Sequence, residues 1–418
     1  MTTGTPAATD PDLPIGVARR LLPLQIGVAL QNFLLWVPVE KMFMTEIGFD
    51  AAAIGLVAAV YAAVVPLLEV PFGVLADRWS RTGMMIVATL ALAASSLVGG
   101  LSTSPATYAA AAVLLGVFFA LDSGTADSIV YDTLVEQTGS AEGYERWIGR
   151  VHAVESVALV SSAVLGGVLA ALTSARVTYF VTVPVVTAAV LAFRFCREPR
   201  LHRAGEQVSY RRQATATFRA LTGGRTVRRV VLLTASAAVT TQVIFEFGPL
   251  WLISLRAPAA FYGPYWAGLV ATVGLGAWLA SRVPLGRPAG AAGVGAALLF
   301  AAVLPATSHA LPIVVIGQTL AALATAMIGV RAGYLLHQTT AATVRAGVSS
   351  GASTLSWLTF LPIALLFGWL SRTHGVQVAG WLLVAITAVT ALLLFRTSRN
   401  QSSDDDGADS HAPAMAVA

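Results

Sequence analysis

Runs of about twenty mostly apolar residues alternate with short polar breaks along nearly all of the 418-residue chain. A helix rises about 1.5 Å per residue, so a run of that length crosses the roughly 30 Å hydrocarbon core of a bilayer. Twelve such runs can be marked, at 21–43, 51–76, 83–101, 106–131, 148–172, 177–196, 229–254, 263–281, 289–308, 311–336, 347–370 and 376–395. Pro38, Pro66, Pro71, Pro249 and Pro362 fall inside runs, which membrane helices tolerate because neighbouring helices re-satisfy the freed backbone groups. The widest polar break, Arg197 to Arg228, splits the runs six and six and carries Arg200, Arg203, Arg211, Arg212, Arg219 and Arg225. The pattern predicts an all-α membrane protein of twelve transmembrane helices in two six-helix bundles. Its parts are an N-terminal tail (1–20), a first bundle (21–196), a central loop (197–228), a second bundle (229–396) and a tail (397–418). That last tail, with Asp404-Asp405-Asp406-Gly407, reads as disordered.

Composition moves the picture the same way. Apolar residues make up 56% of the chain and charged residues only 11%. A soluble surface needs roughly a quarter charged, so lipid is the solvent for much of this one. The arginines sit in short loops rather than on one amphipathic face, so they mark topology and not a nucleic-acid surface. Of the 26 Lys and Arg residues, 21 collect on one side of the counted spans. Four (Lys41, Arg176, Arg256, Arg372) fall on the other, and Arg331 lies inside a span. The positive-inside rule then puts both termini in the cytoplasm. Met1 to Val17 lacks the basic start and apolar core of a cleaved signal peptide, so the first run is expected to stay as a membrane helix. Lys41 is the only lysine, against 25 arginines, with much Ala, Val and Gly. That bias fits a high-GC bacterium and hence a bacterial cytoplasmic membrane. The single cysteine, Cys196, excludes an internal disulfide and a multi-cysteine metal site.

One polar break is unusual. Gly73-Val-Leu-Ala-Asp77-Arg78-Trp-Ser-Arg81-Thr-Gly83 sets one acid and two arginines between two membrane-grade runs. It resembles the loop between the second and third helices of major facilitator superfamily transporters, G-x-x-x-D-R-x-G-R-[RK]. Gly73, Asp77, Arg78 and Arg81 match, while Ser80 and Thr82 replace a usual glycine and basic residue. A worn copy, Ala277-Trp-Leu-Ala-Ser281-Arg282, follows at an offset of 204. Leu165-Gly166-Gly167-Val168-Leu169 and Leu366-Phe367-Gly368-Trp369-Leu370 repeat at an offset of 201. Repeated halves are how many transporter folds are built. Ser162, Gly166 and Gly167 also fall in a stretch similar to the superfamily's antiporter motif, with Ala163 in place of its proline. Small residues there let helices approach closely.

Charges inside a span cost about 2.5–3.5 kcal/mol each even on the gentler scales, so each one is a candidate for function. Glu69, about 10 Å above the cytoplasmic end of span two, belongs to Glu-x-Pro-x-Gly-x-x-x-Asp-Arg, which resembles bacterial exporters of the superfamily. Span four ends with Asp122, Asp127 and Asp132. Asp132 lies at the cytoplasmic mouth, where the resemblance implies a charge cluster with Arg78 or Arg81 that latches one transport state. Asp122 lies nearer the midplane, beyond reach of loop arginines, as a proton-carrier candidate. Superfamily exporters often place an arginine near this level, and none is present here. In span five, His152 and Glu155 are three residues apart on one helical face. Glu155 is either a titrating acid or an ion-pair partner of His152 or Arg150. Glu246, flanked by Phe245 and Phe247, lies more than two turns from either end of span seven. Its setting suits a group that exchanges protons or one that binds a cationic substrate. Arg331 either snorkels to water or faces an acid across the cavity. Glu40 and Lys41, at the outer end of span one, read as interfacial.

No hydrolytic constellation, histidine-based metal site or phosphate-binding loop precedes a helix. The chain is therefore read as no enzyme and as needing no cofactor, with a proton gradient for energy. Its expected partners are a small-molecule substrate, protons and membrane lipid, for a protein working as a monomer. The resemblance implies a secondary transporter using alternating access, with Glu69, Asp122, Glu155, Glu246 and Arg331 as proton or substrate candidates. Gly73, Asp77, Arg78, Arg81 and Asp132 would form the gate. Proton-coupled efflux of a small apolar or cationic compound, such as an antibiotic, is the expected activity. A proton-coupled nutrient importer and a non-transporting membrane sensor are the alternatives.

Overall fold

The computed structural model describes the backbone of residues 15–122, 125–140, 142–198, 224–340 and 345–409. Their side chains are described too, apart from those of residues 15, 69–71, 73–78, 345–347 and 401–409. The described residues are helical, with no strand among them. The first half comprises α1 (Ile15–Gln31), a 3-10 turn (Val37–Val39), α2 (Glu40–Glu46), α3 (Ala51–Arg78), α4 (Arg81–Leu101), α5 (Pro105–Asp122), α6 (Thr125–Thr138), α7 (Tyr144–Leu172) and α8 (Ala175–Arg194). The second half comprises α9 (Arg225–Ser254), α10 (Ala259–Ala280), α11 (Pro288–Thr307), α12 (Leu311–Thr339), α13 (Arg345–His374) and α14 (Val376–Asp409). With α1 and α2 sharing span one, and α5 and α6 sharing span four, these elements follow the twelve predicted spans. Ten are long and apolar enough to cross a membrane by length and composition alone. Span one falls short because it is divided, and α10 because Tyr262, Tyr265, Trp266 and its glycines dilute its hydropathy. The last helix runs through Asp409, past residue 396, where the sequence places the end of the second bundle.

The division of span one has a visible cause. After Gln31 the chain leaves the helix and turns through Val37–Val39, with Pro38 near the start of the turn, before α2 begins at Glu40. The detour is held by tertiary bonds. Leu35 N–H donates to Thr182 Oγ1 at 3.2 Å, and Trp36 Nε1 donates to Ser96 Oγ at 3.1 Å. The Trp36 ring stacks on Tyr179 with centroids 5.1 Å apart. Non-helical backbone survives at membrane depth only when protein satisfies it; here local carbonyls take the N–H groups of Phe33, Leu34, Val37 and Val39, and Thr182 of α8 takes that of Leu35.

The halves meet at two glycine crossings. A Cβ on Gly368 of α13 would lie 2.7 Å from the Ala51 carbonyl oxygen and 3.0 Å from the Gly55 Cα of α3. A Cβ on Gly167 of α7 would lie 2.7 Å from the Gly263 nitrogen of α10. Gly167 and Gly368 are the pair related by the offset of 201, so the internal repeat builds both crossings. Each crossing lies near the ends of α3, α7, α10 and α13 that face away from the Gly73–Gly83 loop. The surface pair Asp50–Arg372 (3.1 Å) spans the same end.

The buried apolar side chains repeat this asymmetry. One group is continuous through both halves, from Phe43, Ile54 and Tyr179 to Phe247, Trp251 and Phe367. Two smaller groups belong to one half each, and both lie at the Gly73–Gly83 end. Val17, Leu21, Ile129, Trp147 and Phe193 form one, and Val230, Leu335 and Val348 anchor the other. The halves therefore share a core at one end and keep separate cores at the other.

Candidate functional site

The detour in span one carries two charged residues into the interior. The Lys41 side chain is 4% exposed, Glu40 15% and Glu246 13%. Lys41 Nζ lies 2.8 Å from Glu40 Oε2 and 2.5 Å from Glu246 Oε1, so one ammonium holds a carboxylate from each half. Tyr61 donates to Glu246 Oε2 at 2.7 Å. Tyr108 donates to Glu40 Oε1 at 2.9 Å, and the Tyr179 hydroxyl lies 2.9 Å from that of Tyr108. Tyr61 is ten residues into α3 and Glu246 eight residues from the end of α9, or about 15 Å and 12 Å of helix. The Lys41–Glu246 contact is therefore about half-way along a 30 Å core, while Tyr108 and Tyr179, three and four residues into α5 and α8, put Glu40 nearer the end away from the Gly73–Gly83 loop.

This corrects the interfacial reading of Glu40 and Lys41. A continuous span one would have put them near the outer surface. The turn after Gln31 brings α2 against α8 and α9, and the ion pairs hold it there. Glu246 is placed at the interface of the halves, between Lys41 and Tyr61. The only sequence signal for Lys41 was its singularity.

Around the cluster the lining is aromatic. Trp357 meets Tyr61 edge-on at 6.0 Å, and Phe119 lies 6.4 Å from the same ring. Phe247 stacks on Phe367 at 4.4 Å within the shared core. Apolar walls keep the local dielectric low, which strengthens each ion pair and makes an unpaired charge costly.

A second polar group lies on the first half alone. Gln31 Nε2 donates to Asp122 Oδ1 at 2.9 Å. His152 Nδ1 is 3.2 Å from Glu155 Oε2, and its Nε2 is 3.8 Å from Asp127 Oδ1. Glu155 and Asp127 are bridged by a histidine that is 56% exposed, so Glu155 has the His152 partner that the sequence offered as one alternative. Beside them, α1, the turn after it and α7 flank an open apolar recess of about 420 Å³ lined by Leu30, Phe33, Val154 and Val157. Arg331 is elsewhere: its guanidinium rests 5.3 Å from the Tyr334 ring and beside Gly286, in the α10–α11 turn.

At the Gly73–Gly83 end, Arg81 Nη1 lies 2.5 Å from Asp132 Oδ2. Glu198, just beyond α8, was not foreseen. Its Oε1 accepts from the Arg81 backbone N–H, and its Oε2 from Ser80 Oγ, both at 2.6 Å. Ser80 in turn caps α4 through Gly83 N–H at 2.9 Å. A carboxylate at a helix N-terminus satisfies orphan donors and the helix dipole together. The side chains of Glu69, Asp77 and Arg78 lie outside the described residues, and Gly73 is described only as part of helix α3. Of the packing candidates, Ser162 is buried with its Oγ donating to the Leu159 carbonyl at 3.1 Å. Gly166 lies against the Leu35 carbonyl of the span-one turn, and Gly167 against Gly263.

Comparison with known proteins follows from this architecture. A variant of the nucleoside transporter NupG superposes with a TM-score of 0.75 at 14% identity, over 90% of this chain and 98% of its own. A bacterial homologue of the human lysosomal transporter Spinster, inward-facing and unoccupied, gives 0.74 at 15% identity, over 94% and 99%. A D-xylose–proton symporter gives 0.65 at 13% identity, over 90% and 96%. Such identities speak to the fold alone. No curated protein matches the chain by sequence. The family model described as the Major Facilitator Superfamily matches residues 21–310. With twelve spans in two halves, a repeat that builds both crossings and a family match over most of its length, the chain belongs to the major facilitator superfamily.

Proposed function

We propose that this transporter exports a small apolar or cationic compound in exchange for protons, by alternating access. The observation that carries this reading is Glu246, a mid-bilayer carboxylate held across the interface of the halves by Lys41 and Tyr61. Rocking the halves apart at that end breaks both contacts. Glu246 then has to take up a proton or a cation, because an unpaired charge at that depth costs several kcal/mol. Glu40, Lys41 and Glu246 sum to one net negative charge, which one proton neutralises. Asp122, Asp127 and Glu155 add acids beside an apolar recess, a surface suited to an amphipathic cation and ill suited to an anion.

In this reading residues 21–196 and 229–396 rock as two units about the glycine crossings, joined by the loop at 197–228. Both termini lie in the cytoplasm of a bacterium, and a single copy works in the cytoplasmic membrane. The shared core then closes the outer end, and the separate cores at the Gly73–Gly83 end correspond to an inward-facing state. Arg81, Asp132 and Glu198, with Gly73, Asp77 and Arg78, belong to the inner gate.

The test is a panel of apolar amines and neutral compounds on inside-out vesicles carrying an imposed proton gradient. Proton release on adding a compound, with lowered accumulation in expressing cells, is the expected result. Proton movement in the same direction as the compound would mean import. No proton movement with any compound would reject coupled transport.

A further inference from the structure

Lys41 is the only lysine in the chain, and its ammonium sits between two carboxylates, at 2.8 and 2.5 Å, one from each half. The remaining oxygens are served by hydroxyls, Tyr108 on Glu40 and Tyr61 on Glu246. The slot between the acids is thus shaped for one hydrogen-bonding cation. The void beside it, against Glu40, Trp36 and Tyr61, is about 10 Å³, the lower limit for a single water, so it offers no room for a second cation on Glu40. Any cation reaching Glu40 and Glu246 together has to displace the Lys41 ammonium.

We propose that Lys41 is a tethered stand-in for the transported cation: its ammonium occupies, between Glu40 and Glu246, the position taken during transport by the amine of a primary or secondary ammonium compound. The tether explains why an arginine-rich chain keeps one lysine here. A compact ammonium on a flexible stem can swing out and return, and it resembles an alkylamine. A guanidinium is a rigid planar fork and makes a poorer mimic. When the halves separate at this end, Glu246 loses Lys41 and Tyr61 first, so the incoming ammonium pairs with Glu246 and then displaces Lys41 from the slot. This proposal rests on the export reading above and narrows its cargo to compounds with at least two N–H on a charged nitrogen.

The test uses purified full-length protein and needs no knowledge of the natural cargo. Lys41→Ala removes Cγ, Cδ, Cε and Nζ, which are together n-propylammonium. The melting temperature of Lys41→Ala should fall below wild type, and millimolar n-propylammonium should restore at least half of the loss. Tetramethylammonium, which has no N–H, should restore none, and Lys41→Ala combined with Glu246→Gln should lose the response. Lys41→Met keeps the stem and secures the fold if the alanine variant is not recovered. It should respond to ammonium and methylammonium but not to propylammonium. The same response in wild type, or none in either folded variant, would overturn the proposal. If the vesicle experiment finds no proton coupling while this size-matched rescue holds, the cation slot stands and the export reading falls. The reverse pattern leaves export standing without the tether.

Discussion

Lys41 and Glu246 are 205 residues apart in sequence and in contact at 2.5 Å in the fold, joining the two halves at mid-bilayer. Glu246 also accepts from Tyr61, so α2, α3 and α9 converge on one carboxylate. Glu246→Gln keeps the shape and an acceptor for Tyr61 while removing the charge. The variant should insert and purify as wild type, because Lys41 retains Glu40, yet lose proton release in vesicles. Retained proton release would take Glu246 out of the coupling path. Glu246→Ala should be worse folded, by about 3–5 kcal/mol at most, the range for breaking a buried pair.

Asp122 has a single described partner, the Gln31 amide, on its own half. Asp122→Asn preserves bonding capacity there, so the protein should fold with less than about 1 kcal/mol change. If Asp122 carries the proton, the substrate-induced pH change should vanish while compound binding, read by tryptophan quenching, persists. An unaltered pH change would leave Glu246 as the better carrier.

The Arg81–Asp132 pair and the Glu198 cap fix the start of α4. Asp132→Asn should slow turnover more than it weakens binding. Exchanging the two residues (Arg81→Asp with Asp132→Arg) should restore part of the rate, and no restoration would count against the pair as a gate element. Glu198→Gln should lower stability by about 0.3–1 kcal/mol, the usual worth of a charge at a helix N-terminus. Thermal unfolding of the purified protein measures it.

Gly368 faces the Ala51 carbonyl and the Gly55 Cα with no room for a side chain. Gly368→Val should cost about 1–3 kcal/mol in overpacking and prop that end open. Cross-linking between cysteines placed at Asp50 and Arg372, which pair at 3.1 Å in the closed form, should then fall at least tenfold. Gly167→Val should do the same through Gly263. Unchanged cross-linking in both would mean that the crossings do not control closure.

Much of the fold was legible because lipid imposes a simple rule. A span has to be apolar for about twenty residues, and loops have to carry the arginines, so hydropathy and the 6 + 6 split outlined the helices. The Gly73–Gly83 loop and the 201-residue offset pointed to repeated halves, and Gly167 and Gly368 turned out to occupy matching crossings. The family resemblance implied that Asp132 pairs with Arg78 or Arg81 at one membrane face, and Asp132 contacts Arg81. Glu198 escaped because a cap contributed from more than a hundred residues away leaves no periodic trace.

What the sequence determined alone was the solvent, the number of crossings, the family and a short set of acids that cost too much to be idle. Tertiary structure decided which acids share a partner. Whether span one runs straight or turns after Gln31 depends on Thr182, Ser96 and Tyr179, none of them near it in sequence. That turn moved Lys41 from an expected surface position to the contact between the halves. Hydropathy reports depth for a continuous helix and cannot register a bend that distant side chains hold in place.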